Sequence, residues 1–218
     1  MTSPVGIPNS DGLIPCSAEE AVQRMLELEA SRKGQYAWGT GDYLPGHPDL
    51  LGMTTNHGLT GWDCAGAAVC HSYRLKRHRP GFNRQMHATI EDDINVDSII
   101  EDADPERGGR QDLGELVTTP APGILLLTPT IDWPEKEFHE PGHVRLILDA
   151  SRWHPDRPRW EDVVYLECRG PNQRKPGVVR DSGGSVDIHD ARWPVDFRTT
   201  SGKLIRPRAV MVRIRAAG

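Results

Sequence analysis

The 218-residue sequence lacks long hydrophobic runs and lacks an excess of positive charge. Its longest apolar stretches, such as residues 124–127, fall far short of the roughly 20 residues that a bilayer-spanning helix requires. The net charge is −5, so no global positive field exists that would attract nucleic acid or an anionic membrane. We therefore expect no transmembrane helix, no nucleic-acid partner and no membrane partner.

Two further absences concern the cysteines and the first residues of the chain. The four cysteines, Cys16, Cys64, Cys70 and Cys168, lack the C-x-x-C spacing of zinc ribbons and redox motifs and are too few for a disulfide scaffold. At least one free thiol is expected. Residues 1–10 contain neither a basic nor an apolar signal region, so no secretory signal is predicted. The length fits one domain over residues 1–218.

Two helices are predicted in the first third of the chain. Ser17 and Glu20 form an S-x-x-E capping box before a helical apolar repeat, which predicts a helix over residues 18–33. A Gly- and Pro-rich loop follows over residues 34–61. Asp63 then precedes a run of small apolar residues, which predicts a second helix with Cys64 at its N-terminus.

Residues 81–120 form a polar segment that contains eight closely spaced carboxylates. These are Glu91, Asp92, Asp93, Asp97, Glu101, Asp102, Asp104 and Glu106. Their spacing does not match the calcium-loop pattern, and a solvated acidic face is the more common role of such a run. We expect a surface insertion here and no metal site.

The second half of the chain changes to short β-branched or alternating runs separated by turns. Strands are predicted over residues 124–128, 144–149, 163–168 and 210–214. Helices followed by strands indicate an α+β fold in which the helices pack on an antiparallel sheet.

Cys64, His143 and Glu167 together satisfy the requirements of a cysteine nucleophile. The positive end of a helix dipole should lower the pKa of the Cys64 thiol towards the reactive thiolate. His143 opens a strand and shares a face with Arg145 and Ile147 on period-2 counting. Glu167 lies on the next strand, where antiparallel pairing would place it beside His143 as the group that orients the imidazole.

Three blocks of the chain resemble the NlpC/P60 family of cysteine peptidases. Residues 36–39 read Y-A-W-G, residues 61–66 read G-W-D-C-A-G, and residues 142–149 read G-H-V-R-L-I-L-D. They are similar, in order and spacing, to the family blocks Y-x-W-G-G, G-F-D-C-S-G and G-H-V-G-I-Y-L-G. The resemblance covers about residues 18–215. It implies a papain-like α+β fold and hydrolysis of stem-peptide bonds in peptidoglycan, with no cofactor.

The same resemblance implies a role for each matching residue. Cys64 matches the nucleophile and His143 the base, while Tyr36 matches a tyrosine near the oxyanion position. Trp38 and Asp63 match residues of the substrate cleft. The sequence departs from the family at Ala65, where serine is usual, at Ile124, where a strand aspartate is frequent, and at Glu167, where His, Asn or Gln is usual.

Plainer interpretations of these residues stay open. Cys64 can be a small core residue, as we expect for Cys70 and Cys168. Tyr36 and Trp38 can be core aromatics, and Glu167 an ordinary strand carboxylate.

Residues 139–143 also spell H-E-P-G-H, the H-E-x-x-H pattern of zinc peptidases. That motif needs a helix to bring its histidines together, which Pro141 and Gly142 oppose, so we expect a chance match.

A wall hydrolase without a secretory signal is typical of two kinds of bacteriophage protein. One is a lysin released by a holin, and the other is a virion tail component with phage tail proteins as partners. A secreted antibacterial amidase effector with an immunity protein is the alternative. The bond cut, the third catalytic residue and the oligomeric state are left open by the sequence.

Overall fold

A computed structural model describes part of the chain. The described residues are 16–31, 63–77, 94–129, 131–132, 139–140, 142–157, 162–169, 185–190, 197–198, 204–205 and 209–215.

A six-stranded antiparallel sheet organises these residues. Its strands are β1 (Gly114–Val117), β2 (Leu125–Thr128), β5 (His143–Asp149), β6 (Val164–Arg169), β7 (Ser185–Asp190) and β10 (Val210–Ile214). Their spatial order is β1-β10-β2-β5-β6-β7. Two separate two-stranded pairs join β3 (Ile131–Asp132) with β4 (His139–Glu140), and β8 (Phe197–Arg198) with β9 (Leu204–Ile205). In the described part of the chain every strand pair is antiparallel.

The helices cover one face of the sheet. Helix α1 (Ala18–Ser31) is capped by Ser17, whose Oγ accepts the Glu20 N–H at 3.2 Å. The helix that carries Cys64 covers residues 64–73, and its central part, Gly66–His71, is π-helical. Helix α2 (Val96–Ala103) is followed by a short 3-10 helix (Pro105–Arg107). Among the described residues, no helix combines the length and the apolar character that a bilayer crossing demands.

Alternation along the strands divides the apolar residues between two faces. Val144, Leu146 and Leu166 belong to one buried cluster together with residues of the three helices. Ile147 and Tyr165 belong to a second cluster on the other face of the sheet. Successive strand residues point to opposite faces, so a single strand contributes to both clusters.

The predicted α+β class and the four predicted strands are confirmed, and the papain-like fold stays a prediction. The strands over 124–128, 144–149, 163–168 and 210–214 correspond to β2, β5, β6 and β10 within one residue at each end. The helix predicted over 18–33 is observed as far as Ser31, the last described residue of that segment. Strands β1 and β7, the two outermost strands of the sheet, were not predicted.

The prediction of a surface insertion over residues 81–120 is wrong for the described part, residues 94–120. Ile94 and Ile99 are buried in the helix-side cluster, and α2 packs against β1, β2 and β10. Asn95 and Ser98 form a reciprocal capping box that starts this helix. Its apolar positions recur at helical spacing between the carboxylates, so one helix has both a core face and an acidic face.

Asp102 is the buried member of the carboxylate run. It is 7% exposed, and its carboxylate accepts the backbone N–H groups of Asp112, Leu113 and Gly114 at 3.0, 2.8 and 3.2 Å. These bonds join the end of α2 to the start of β1. The acidic run therefore supplies the connection that attaches the edge strand.

Replacing Asp102 by alanine is expected to lower the free energy of unfolding by about 3 kcal/mol, because three N–H groups in this turn lose their acceptor together. Asp97→Ala, on the same helix with a half-buried carboxylate, is the matched control and should cost under about 1 kcal/mol. Urea denaturation of both variants measures the difference. Equal losses would show that the turn does not depend on the Asp102 carboxylate.

Candidate active site

Asp63 fixes the start of the helix that carries Cys64. Its Oδ1 accepts the Gly66 N–H at 2.6 Å, and its backbone carbonyl accepts the Ala67 N–H at 3.0 Å. Its Oδ2 lies 2.7 Å from Nη2 of Arg77. The predicted cap is thus confirmed. Both carboxylate oxygens are engaged within the protein, and the role of Asp63 in a substrate cleft stays a prediction.

Cys64 lies at this helix start and packs against strand β5. The side chain is buried, with 6% of the residue exposed. Backbone N–H groups of Val144 and Ala65 donate to its sulfur. Val144 is the second residue of β5, so the sulfur lies at the backbone of the residue that follows His143.

The environment of Cys64 raises the pKa of its thiol to about 12. Burial is the main cause, and the Asp63 carboxylate acts in the same direction. The Val144 and Ala65 N–H groups and the Arg77 charge stabilise the thiolate, but by less. The prediction of a lowered thiol pKa is therefore wrong for this state, because burial and a neighbouring carboxylate outweigh the helix start. At neutral pH the thiol keeps its proton.

His143 and Glu167 meet across β5 and β6. Nε2 of His143 and Oε2 of Glu167 are 3.0 Å apart. Both side chains are largely buried, with 12% and 3% of the side-chain surface exposed. The structure thus brings together the two residues that antiparallel pairing was predicted to place side by side. Their catalytic roles stay predictions.

Arg145 shares the same carboxylate oxygen. Its Nε lies 3.0 Å from Oε2 of Glu167, and its Nη1 donates to Oγ1 of Thr128 at 3.2 Å. Its Cζ lies 5.4 Å from the centroid of the Tyr165 ring. The sequence placed Arg145 on the face of His143 but assigned it no role. The only sequence signal for a role of Arg145 was its period-2 position on the same strand face as His143.

Cys64 and the polar group of His143, Arg145 and Glu167 approach β5 from different sides. Val144 faces the helices, so His143 and Arg145 on either side of it face the other way. The structure therefore brings His143 together with Glu167, and it brings the Cys64 sulfur to the backbone of Val144, the residue that follows His143.

The other residues singled out from the sequence either lie outside the described residues or belong to the core. Tyr36 and Trp38 lie outside the described residues. Cys70 and Cys168 are fully buried in the helix-side cluster, as predicted. All four cysteines are free thiols. Strand β7 places Asp187 at the register position opposite Glu167.

The H-E-x-x-H match does not have the helical geometry that this motif needs. His139 and Glu140 form strand β4, paired with β3, and His143 begins β5. Extended backbone separates residues four apart by more than twice their distance along a helix. No group of three or more potential metal ligands occurs among the residues that the structure describes.

No family model, no curated protein and no solved structure matches this chain. The assignment of a function therefore depends on the residues and geometry described above.

Alkylation of Cys64 by iodoacetamide in the folded protein is expected to be slow at pH 7. Its rate should rise about tenfold per pH unit, without a plateau, up to pH 10, because only the thiolate reacts and its pKa is about 12. Mass spectrometry of tryptic peptides after timed quenching measures this rate for each cysteine. Asp63→Asn keeps an oxygen to cap the helix but removes the carboxylate charge, so it should accelerate the reaction. A plateau near pH 8 in the unmodified chain would contradict the raised pKa.

Proposed function

We propose that the protein is a papain-like cysteine hydrolase, similar to the NlpC/P60 peptidases, that cleaves an amide bond in the stem peptides of bacterial peptidoglycan. One observation carries the proposal: Cys64 at a helix start contacts the backbone next to His143, whose imidazole pairs with Glu167. A thiol, an imidazole base and a carboxylate that orients this base are the three groups that nucleophilic acyl transfer uses, and in this proposal the thiol meets the imidazole at the start of β5.

The raised pKa of Cys64 determines how the reaction begins. Because the resting thiol is neutral, His143 acts as a general base that removes the proton while the sulfur attacks the carbonyl carbon. In the tautomer whose Nε2–H donates to Glu167, Nδ1 is the basic nitrogen of the neutral imidazole, and we assign to it the proton transfer. The backbone N–H of Cys64, at the helix start, donates to the oxyanion. His143 then protonates the leaving amine, and water hydrolyses the thioester.

The peptidoglycan substrate is supported by the similarity of the three sequence blocks to the family. In this proposal Tyr36, Trp38 and Asp63 contribute to the substrate cleft. The protein acts at the bacterial wall, reached from a virion or through a holin, as in a phage lysin or tail component. A secreted effector with an immunity partner would use the same chemistry.

Incubation of the purified full chain with purified peptidoglycan tests the substrate. Mass spectrometry of the released fragments should show new amine and carboxyl ends within the stem peptide, or at the muramoyl amide if the enzyme is an amidase. Absence of new ends in peptidoglycan from several wall types would exclude the proposed substrate.

Adding chelators in the same experiment distinguishes a cysteine mechanism from a zinc mechanism. Activity should survive prolonged EDTA and o-phenanthroline treatment, and it should fall in proportion to alkylation of Cys64. Loss to chelators with recovery on added zinc, together with indifference to alkylation, would instead assign catalysis to His139, Glu140 and His143.

A further inference from the structure

One oxygen of the Glu167 carboxylate contacts two basic side chains. Oε2 lies 3.0 Å from Nε2 of His143 and 3.0 Å from Nε of Arg145. Glu167 is 2% exposed, so water does little to screen these interactions. A carboxylate bound to imidazole alone would stabilise the imidazolium form of His143. A guanidinium on the same oxygen offsets much of that effect.

Arg145 is itself held in a fixed position. Its Nη1 donates to Oγ1 of Thr128 on β2, while its Nε contacts Glu167 on β6. The guanidinium therefore joins three adjacent strands, and the Tyr165 ring lies 5.4 Å from its Cζ. A planar fork bound at two positions has little freedom to leave the carboxylate.

We propose that Arg145 is a positioning residue of the candidate active site, which keeps Glu167 ionised and aligned and keeps the resting His143 imidazole neutral. The proposal rests on the proposed function in giving His143 the role of base. A base must be unprotonated before it can accept a proton, so the imidazolium form is inactive in the first step. Arg145 thus extends the pH range of activity downwards.

Other charged or titratable residues occur on the strands beyond β5 and around the helix that carries Cys64. They are Glu167 and Arg169 on β6, Asp187 and His189 on β7, and Asp63, Cys64 and Arg77 at that helix. Asp187 occupies the position opposite Glu167, and His189 the position opposite Tyr165. All of these groups remain unchanged when only Arg145 is replaced, so a difference between variants reports Arg145 itself.

The test is an NMR titration of the His143 imidazole in the full chain, with the signal assigned by its loss in His143→Gln. In Arg145→Gln, the pKa of His143 should rise by about one unit or more. Arg145→Lys keeps the charge and should leave that pKa within a few tenths of a unit of its original value. Arg213→Gln is the matched control, because the exposed Arg213 pairs with Glu115 on the adjacent strand at 3.1 Å, and it should leave the pKa of His143 unchanged.

An unchanged His143 pKa in folded Arg145→Gln would overturn the proposal. If that variant does not fold, Arg145→Lys decides the question, because a rise of one unit despite the retained charge would also overturn it. The titration needs no substrate. An inactive wild-type protein with the expected shift would refute only the proposed function, whereas an active wild-type protein without the shift would refute only this inference. In an active protein, the acid limb of the pH–rate profile should move upwards by the same amount in Arg145→Gln.

Discussion

Cys64→Ala is expected to release no soluble fragments from peptidoglycan, with kcat reduced by more than about 10⁴-fold, because the acyl-enzyme bond can form at no other atom of the proposed site. The fold should persist. Cys64 belongs to a tightly packed helix start, and alanine removes one sulfur atom while the Asp63 cap and its pairing with Arg77 remain. Fragment release and thermal unfolding of the same preparation measure both outcomes.

Cys70→Ala is the matched control for this change. Cys70 lies on the same helix, is fully buried and is also a free thiol, so its replacement makes a similar small cavity without touching the candidate nucleophile. Fragment release should continue in this variant. Release at the wild-type rate by Cys64→Ala would exclude the cysteine mechanism.

The parts of the fold that the sequence predicted are those with a strong local period. Strands β2, β5, β6 and β10 consist of apolar or alternating residues between turn signals, and each was placed within a residue or two. β1 is four residues long and includes Gly114 and Glu115, a composition that gives no strand signal. Its position depends on pairing with β10 and on the Asp102 turn. Neither of these long-range contacts is visible in a local pattern.

Helix α2 shows why the acidic segment was misassigned. Charge dominates the composition of residues 91–106, but Ile99 and Ile100 on α2, and Ile94 just before it, are buried in the core. The total charge of a sequence window does not distinguish the core face of a helix from its acidic face, whereas the helical period of the apolar residues does.

The sequence predicted which elements carry the candidate site residues, but it did not predict the electrostatics around them. Helix start, strand position and alternation placed Cys64, His143 and Glu167 correctly with respect to their elements. The pKa of Cys64 could not be read in the same way, because it depends on burial and on the Asp63 carboxylate. A motif identifies a candidate nucleophile, and the packing around it determines whether the resting form is thiol or thiolate.

Glu167→Gln is expected to reduce kcat much less than His143→Ala does. His143 moves the proton, so its removal should approach the loss seen for Cys64→Ala. Glu167 only orients the imidazole and stabilises its cation, and loss of such a carboxylate costs roughly 10²-fold less than loss of the base. Glutamine retains an oxygen that can accept the Nε2 proton of His143 and the Nε proton of Arg145. The residual activity of Glu167→Gln therefore measures the contribution of the carboxylate charge.

The two variants are compared by initial rates of fragment release at saturating peptidoglycan, from pH 5 to 9, with near-ultraviolet circular dichroism as the check on folding. Glu167→Gln should lower the pKa of His143, because the imidazolium loses its anionic neighbour while Arg145 remains, so the acid limb of the profile moves to lower pH. The pKa of His143 and the acid limb therefore move in the opposite direction to that expected for Arg145→Gln. Equal losses of kcat would make Glu167 as essential as the base. An unchanged kcat and an unchanged acid limb would assign the orienting role to another residue, and Asp187, at the register position opposite Glu167, would be the next to replace.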